Sequence, residues 1–180
     1  MIEIFHNVLT ENHREQFYMH AINANYQLGW DDTATFEHRQ YPCLHSEINL
    51  ADWRGLDFIE GIQNEPMKKL VQNLTFKKAV INLATPSSIQ FPHTHGTSTV
   101  ITYYINPDWK KEYYGETIFY DDSMTHCIGT SLYHTNSAVI FDGKIPHSIR
   151  PASHIAPSYR FSLSVFFRQK NFIEEAKNSS

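Results

Sequence analysis

Cysteine is scarce in this chain: among its 180 residues only Cys43 and Cys127 carry thiols. They form no CxxC pair, so neither a disulfide framework nor a thiolate zinc site is suggested, and a reducing, cytoplasmic setting is expected. Long apolar runs are missing too. No stretch of about 18 apolar residues is available to cross a bilayer, and residues 1–10 lack a basic segment followed by an apolar one. Neither membrane association nor export is therefore expected. Charge of one sign is also lacking: the formal net charge is -4 and the pI is near 6.2. That balance gives no general attraction to phosphate backbones, so no nucleic-acid partner is implied. What the chain does have is 41% hydrophobic and 14% aromatic residues, rich in Phe and Tyr. This composition suits a β-rich fold of one domain with a sizeable core. Oligomeric state leaves no mark on the sequence.

The texture changes once, near residue 75. Before it, Thr10 is placed to cap a helix that carries Phe17, Met19, Ala21, Ile22 and Leu28 and ends near Gly29. A second helix is predicted over 56–74, restarting at Glu65-Pro66 because proline is favoured at a first helical position. Residues 36–48 between them read as strand or loop. After residue 75, the segments 78–84, 88–92, 97–105, 116–120, 131–135, 138–141, 147–151 and 159–168 are short β-branched or aromatic runs punctuated by Pro, Gly, Asn and Asp. So many short strands predict two facing sheets. The expected fold class is mainly β with flanking helices (α+β), around a jelly-roll or cupin-like double-stranded β-helix. In that division 1–75 supplies helices and supporting strands, 76–170 the β-helix core, and 171–180 a polar tail expected to fray.

Chemistry concentrates in three short motifs: Phe91-Pro92-His93-Thr94-His95-Gly96, Ile145-Pro146-His147-Ser148 and Tyr159-Arg160-Phe161-Ser162. Residues at i and i+2 of an extended segment point the same way, so His93 and His95 are able to face one ion. Neutral imidazole is the commonest protein ligand for transition metals. The mouth of a β-helix draws together strands distant in sequence, which brings His147 within reach. Along the last strand Arg160, Ser162 and Ser164 share a face. A guanidinium buried there needs a carboxylate to answer it, from an internal Asp or Glu or from a ligand. The remaining histidines, His6, His13, His20, His38, His45, His126, His134 and His154, read as ordinary surface or core side chains. Glu116 and Asp142 read as framework carboxylates, and Trp30, Trp53 and Trp109 as packing residues.

Four runs taken in order carry a resemblance. They are Val100-Ile101-Thr102-Tyr103-Tyr104-Ile105-Asn106-Pro107-Asp108-Trp109, Gly115-Glu116-Thr117-Ile118-Phe119-Tyr120, Ala138-Val139-Ile140-Phe141-Asp142-Gly143-Lys144-Ile145-Pro146-His147 and Tyr159-Arg160-Phe161-Ser162-Leu163-Ser164. Together they resemble the prolyl-4-hydroxylase-like branch of the Fe(II)/2-oxoglutarate-dependent dioxygenases, over roughly residues 78–168. The resemblance implies Fe(II) and 2-oxoglutarate as cofactors, His93 and His147 as metal ligands, and Arg160 as the anchor of the cosubstrate's distal carboxylate. Tyr104 would donate to the same carboxylate, with Ser162 a second candidate for that role. It also implies O2 as partner and hydroxylation of an unactivated C–H bond in a small-molecule or amino-acid-derived substrate, with release of succinate and CO2. Ile101, Ile118, Ile140 and Phe166 are candidates for the dry lining of the site. Tyr41-Pro42-Cys43 and Trp53-Arg54 are candidates for the substrate mouth.

The departure from the family pattern is His95, which stands where the family has a carboxylate. Either three imidazoles hold the ion, or His95 turns away and an external anion or water completes the shell. Three histidines are favoured, because His95 is a competent ligand at the right spacing. Two other readings are a three-histidine cupin-type Fe(II) dioxygenase that does not use 2-oxoglutarate and a non-catalytic ligand-binding jelly roll. A zinc hydrolase is disfavoured, since no general-base carboxylate adjoins the His-Thr-His motif.

Overall fold

The computed structural model describes residues 1–30, 43–86 and 88–169. The strands are β1 (Ile2–His6), β2 (Gln27–Trp30), β3 (Cys43–Ile48), β4 (Leu74–Ala84), β5 (Thr99–Tyr104), β6 (Thr117–Tyr120), β7 (Cys127–Ser131), β8 (Ser137–Asp142), β9 (His147–Ile149) and β10 (Arg160–Gln169). A large antiparallel sheet runs β1-β8-β5-β10-β4-β3-β2, and a small one runs β7-β6-β9. The α-helices α1 (Glu11–Asn23), α2 (Leu50–Leu56), α3 (Phe58–Gly61) and α4 (Glu65–Val71) precede the central strands. Both sheets and helices match the expected α+β class with a jelly-roll core.

Strand alternation gives the large sheet two different faces. On one face Ile101, Tyr103, Ile140, Phe161, Leu163 and Val165 pack against the helices, meeting Phe17, Phe58 and Met67. Phe17 and Phe58 meet edge to face at 5.6 Å, and Trp53 stacks on Phe76 at 4.6 Å. On the other face Val80, Val100, Val139, Phe141 and Phe166 pack against Phe119 of β6. Each such buried side chain contributes about 1.5–3 kcal/mol of transfer free energy. The sandwich is therefore closed by a modest apolar plug, and polar side chains continue the same inner rows beyond it. On β10 that row is Arg160, Ser162, Ser164 and Phe166.

Several predicted boundaries move, each for a local reason. Thr10 does cap α1, its hydroxyl accepting from the His13 amide, but α1 stops at Asn23 because Ala24 is extended. The chain then enters β2, which pairs with β3. The helix predicted over 56–74 begins earlier, at Leu50, and is divided into α2, α3 and α4, the last of them starting at the predicted Glu65-Pro66 restart. Asn49 starts α2, and Asp57 at φ 45° in the left-handed region ends it. Asn64 caps α4, with Pro66 in its first turn. The segment 88–92 is not a strand. The strand predicted at 131–135 lies earlier, as β7, because Asn136 at φ 55° turns the chain into β8. The short β1, hydrogen-bonded to β8 along the sheet edge, was not predicted. The expected tail 171–180 falls outside the described residues, as do Tyr41 and Pro42. Among the described residues no helix is long and apolar enough to cross a membrane.

Candidate metal centre

Backbone pairing brings the three histidines together. His93 and His147 form an isolated antiparallel bridge, each amide donating to the other's carbonyl at 3.0 Å. His147 in turn pairs with Phe119 through β9 and β6. The His95 amide donates to the Gly143 carbonyl at 2.6 Å, while the Gly143 amide donates to the Ser98 carbonyl at 2.7 Å. A Cβ at Gly143 would lie 2.7 Å from that Ser98 oxygen and 3.2 Å from the His95 Cβ. Only glycine lets the turn after β8 approach closely enough to clamp the His95 segment.

The ring centroids are 4.9, 4.5 and 4.8 Å apart for His93–His95, His93–His147 and His95–His147. One ligand atom from each lies within 4.8 Å of the others, and among the described residues this is the only such cluster of potential metal ligands. His93 Nδ1 donates to the Phe91 carbonyl and His147 Nδ1 to the Ile145 carbonyl, both at 2.9 Å. A carbonyl only accepts, so each Nδ1 keeps its proton and each Nε2 presents a lone pair. His147 Nε2 faces His95 Nε2 at 3.1 Å. At that separation the two nitrogens share either a proton or a cation, and ligand nitrogens about 2.0–2.1 Å from a common ion stand roughly 3 Å apart.

Phe166 meets His95 edge to face at 4.9 Å, and Phe141 meets His147 at 4.6 Å. Burial first, then the neighbouring imidazoles, lowers the His95 pKa from 6.5 to about 2. Burial and His93 lower that of His147 from 6.5 to about 3. Both rings are therefore neutral and ready for a metal at any ordinary pH. The unfolded chain binds protons below about pH 6.5 that the fold refuses. Metal-free protein thus has its full stability from these groups above about pH 6.5 and loses it as pH falls toward about 3. In urea titrations at about pH 7 and about pH 5, His147→Gln is expected to decline less steeply than the parent; equal slopes would refute the burial cause.

The cavity at the histidines is also lined by Cys43, Asn82, Thr102, Thr117, Ile149 and Ser164, and holds about 30 Å³. That is room for about two waters. Of the apolar residues expected to line it, Phe166 does. Ile101 and Ile140 face the helices. Ile118 lies between Thr117 and Phe119 on β6 and points to the opposite side of the small sheet. Trp53 is a core residue stacked on Phe76, not part of a mouth.

Arg160 is wholly buried at the start of β10. Its Nε donates to the Gly115 carbonyl at 2.8 Å and its Nη1 to Ser162 Oγ at 2.9 Å, while Nη2 has no hydrogen-bond partner among the described residues. Among the described residues no carboxylate forms an ion pair with it: Glu116, whose charge still favours the guanidinium from a distance, pairs with Arg150 at 2.9 Å, and Asp142 receives the Lys144 amide at 3.0 Å in the turn after β8. Aromatic faces cover the guanidinium, Tyr133 at 5.0 Å and Tyr104 at 5.7 Å. The Tyr104 hydroxyl donates to the Ser131 carbonyl at 3.0 Å and lies 3.1 Å from Thr117 Oγ1. Thr117 thus joins the arginine pocket to the histidine cavity. Tyr133 is fixed from behind, accepting from the Asn106 amide at 2.9 Å. Sequence reasoning missed Gly115, Thr117, Ser131 and Tyr133. Gly115 left a signal, a lone glycine after two tyrosines. At φ 88° its Cβ would sit 2.9 Å from Arg160 Cδ. Gly115→Ala is expected to displace the arginine and cost about 1–3 kcal/mol in urea titration.

No protein-family model matches the sequence, and no curated protein does. Solved structures do match the fold. An oxidoreductase of the 2OG-Fe(II) oxygenase family from Burkholderia pseudomallei superposes with TM-score 0.65 at 8% identity, over 94% of this chain and 85% of that one. The chain has the fold of the 2OG-Fe(II) oxygenases. A prolyl hydroxylase of Trichoplax adhaerens, solved with a hypoxia inducible factor peptide fragment, shares this oxygenase fold with TM-score 0.62 at 15% identity, over 99% and 87%. HygX from Streptomyces hygroscopicus, solved with nickel and 2-oxoglutarate bound, gives 0.61 at 8% identity, over 95% and 84%.

Proposed function

We propose that the protein is an Fe(II)- and 2-oxoglutarate-dependent oxygenase that hydroxylates an unactivated C–H bond of a small-molecule or amino-acid-derived substrate. One observation carries the reading: within an oxygenase fold, three imidazoles with ligand atoms inside 4.8 Å adjoin a buried guanidinium with an unused Nη2 donor. The donor set fits the group. Neutral imidazole suits Fe(II), and three protein ligands leave coordination positions open. A guanidinium with a spare N–H and no ion pair among the described residues suits a ligand carboxylate. HygX, with its nickel and 2-oxoglutarate, gives the fold a precedent for both.

His93, His95 and His147 would hold the ion, and Arg160, Tyr104 and Ser162 the distal carboxylate of the cosubstrate. When bound, iron with 2-oxoglutarate supplies the oxidising chemistry, in which O2 and 2-oxoglutarate are consumed, C–H becomes C–OH, and succinate and CO2 leave. Phe141 and Phe166 keep water from the imidazoles on their apolar side. The carbonyls of Phe91 and Ile145 hold two rings in the Nδ1–H tautomer, so His93 and His147 need lose no proton from Nε2 before an ion binds. The protein contributes no negative charge to the ion, so the cosubstrate brings the first anion. Metal and cosubstrate affinities are accordingly expected to reinforce one another.

The test is anaerobic reconstitution with Fe(II), titration with 2-oxoglutarate followed by its metal-to-ligand absorption, and assay of succinate after O2 is admitted. Stoichiometric iron without 2-oxoglutarate binding would select the three-histidine dioxygenase, a reading that the carboxylate-free donor set also supports. No stoichiometric Fe, Mn, Co or Ni would select a non-catalytic ligand-binding jelly roll.

A further inference from the structure

Ser131 is the last residue of β7, with no exposure to solvent. It stands directly opposite Thr117 in the β6–β7 register, so both side chains project from the same face. Thr117 lines the histidine cavity and lies 3.1 Å from the Tyr104 hydroxyl. Ser131 is therefore held at the junction between that cavity and the arginine pocket.

Among the described residues, Ser131 Oγ and Arg160 Nη2 are buried polar atoms without a hydrogen-bond partner. A buried hydroxyl left unpaired costs about 1–3 kcal/mol, and apolar residues of similar size would avoid the cost. The neighbouring Tyr104 hydroxyl gives its proton to the Ser131 carbonyl at 3.0 Å and forms no hydrogen bond with the Ser131 hydroxyl. Both idle donors belong to residues gathered around Tyr104, whose ring lies 5.7 Å from the Arg160 guanidinium and whose hydroxyl meets the Ser131 carbonyl. A carboxylate has lone pairs enough to accept from both.

We propose that Ser131 is a cosubstrate-binding residue whose hydroxyl donates to the same distal carboxylate that Arg160 holds, making it a determinant of selectivity for a dicarboxylic 2-oxo acid. The inference rests on the cosubstrate reading above and goes beyond it, since Ser131 belongs to neither the metal cluster nor the arginine strand. A hydrogen bond to an ionised acceptor is worth about 1.5–3 kcal/mol, hence roughly ten- to a hundredfold in affinity.

Direct binding tests it. Full-length protein loaded with Mn(II) is titrated with 2-oxoglutarate and with pyruvate, which has the same 2-oxo acid head but no distal carboxylate. Calorimetry and the fluorescence of Trp109, whose ring lies 4.7 Å from that of Tyr133, report binding. Ser131→Ala is expected to weaken 2-oxoglutarate at least tenfold and leave pyruvate unchanged, while Ser131→Thr stays within about twofold of the parent. Equal affinity of Ser131→Ala and parent for 2-oxoglutarate overturns the proposal. So does equal weakening of both ligands, the mark of a purely structural role. Should the alanine variant not fold, Ser131→Cys, of similar size but a weaker donor, is expected to show the same selective loss. Absence of 2-oxoglutarate binding by the parent protein itself would instead remove the cosubstrate reading, and this one with it.

Discussion

Metal analysis of His147→Ala after anaerobic reconstitution is expected to show iron falling from one equivalent to near none, with the fold intact by circular dichroism. His147 is the hinge of the cluster. Its backbone carries the bridge to His93, and its Nε2 is the atom that faces His95. The bridge is made by the main chain and survives the substitution, so His93 and His95 remain in place with one donor missing. Two neutral imidazoles, unaided by any protein carboxylate, bind a divalent ion weakly. In a site with a carboxylate ligand, the same loss would leave an anion behind to hold the metal. His95→Asp is the informative contrast: it restores a charge to the site and is expected to raise iron affinity. Full retention of iron by His147→Ala would place the metal elsewhere.

How much of this was legible in the sequence depends on which interactions set each feature. The inner-row alternation of β10 was visible because Arg160, Ser162 and Ser164 recur at strand period beside apolar neighbours, and a pleated strand turns that pattern directly into two faces. The histidines were legible as motifs, but His93 reaches its place through one main-chain bridge, not the strand foreseen at 88–92. Pairing between distant backbones leaves no local periodicity to detect. The N-terminal half was read least well. Asp57 in the left-handed region and the extended Ala24 interrupt helices at residues with no strong breaker signature. Likewise Ile101 and Ile140 had the right chemistry for a dry site but the wrong parity along their strands, so they serve the helical core. The arginine pocket needed coordinates, since Gly115 and Tyr133 reach Arg160 from two segments distant from it in sequence.

Arg160→Met separates what the guanidinium does for the fold from what it does for a ligand. Burial works against the charge here, lowering the arginine's pKa, and two Tyr faces, one carbonyl, one hydroxyl and the more distant charge of Glu116 compensate it in part. Replacing a buried, incompletely answered charge by an apolar side chain of similar length is often neutral or stabilising. The metal-free variant is therefore expected to melt at or above the parent's temperature and to bind iron normally, because no histidine contacts the substituted side chain among the interactions described. The response to 2-oxoglutarate should differ sharply. A ligand that binds only the folded state raises the melting temperature, with a stabilisation that grows as the logarithm of its concentration over its dissociation constant. Parent protein with Mn(II) is expected to gain several degrees, while Arg160→Met gains none at the same concentration and its dissociation constant rises at least about a hundredfold. A variant that is both less stable and still shifted by 2-oxoglutarate would mean that the guanidinium serves the core. A stable variant blind to the cosubstrate would mean that the fold carries a buried charge for the sake of the anion it receives.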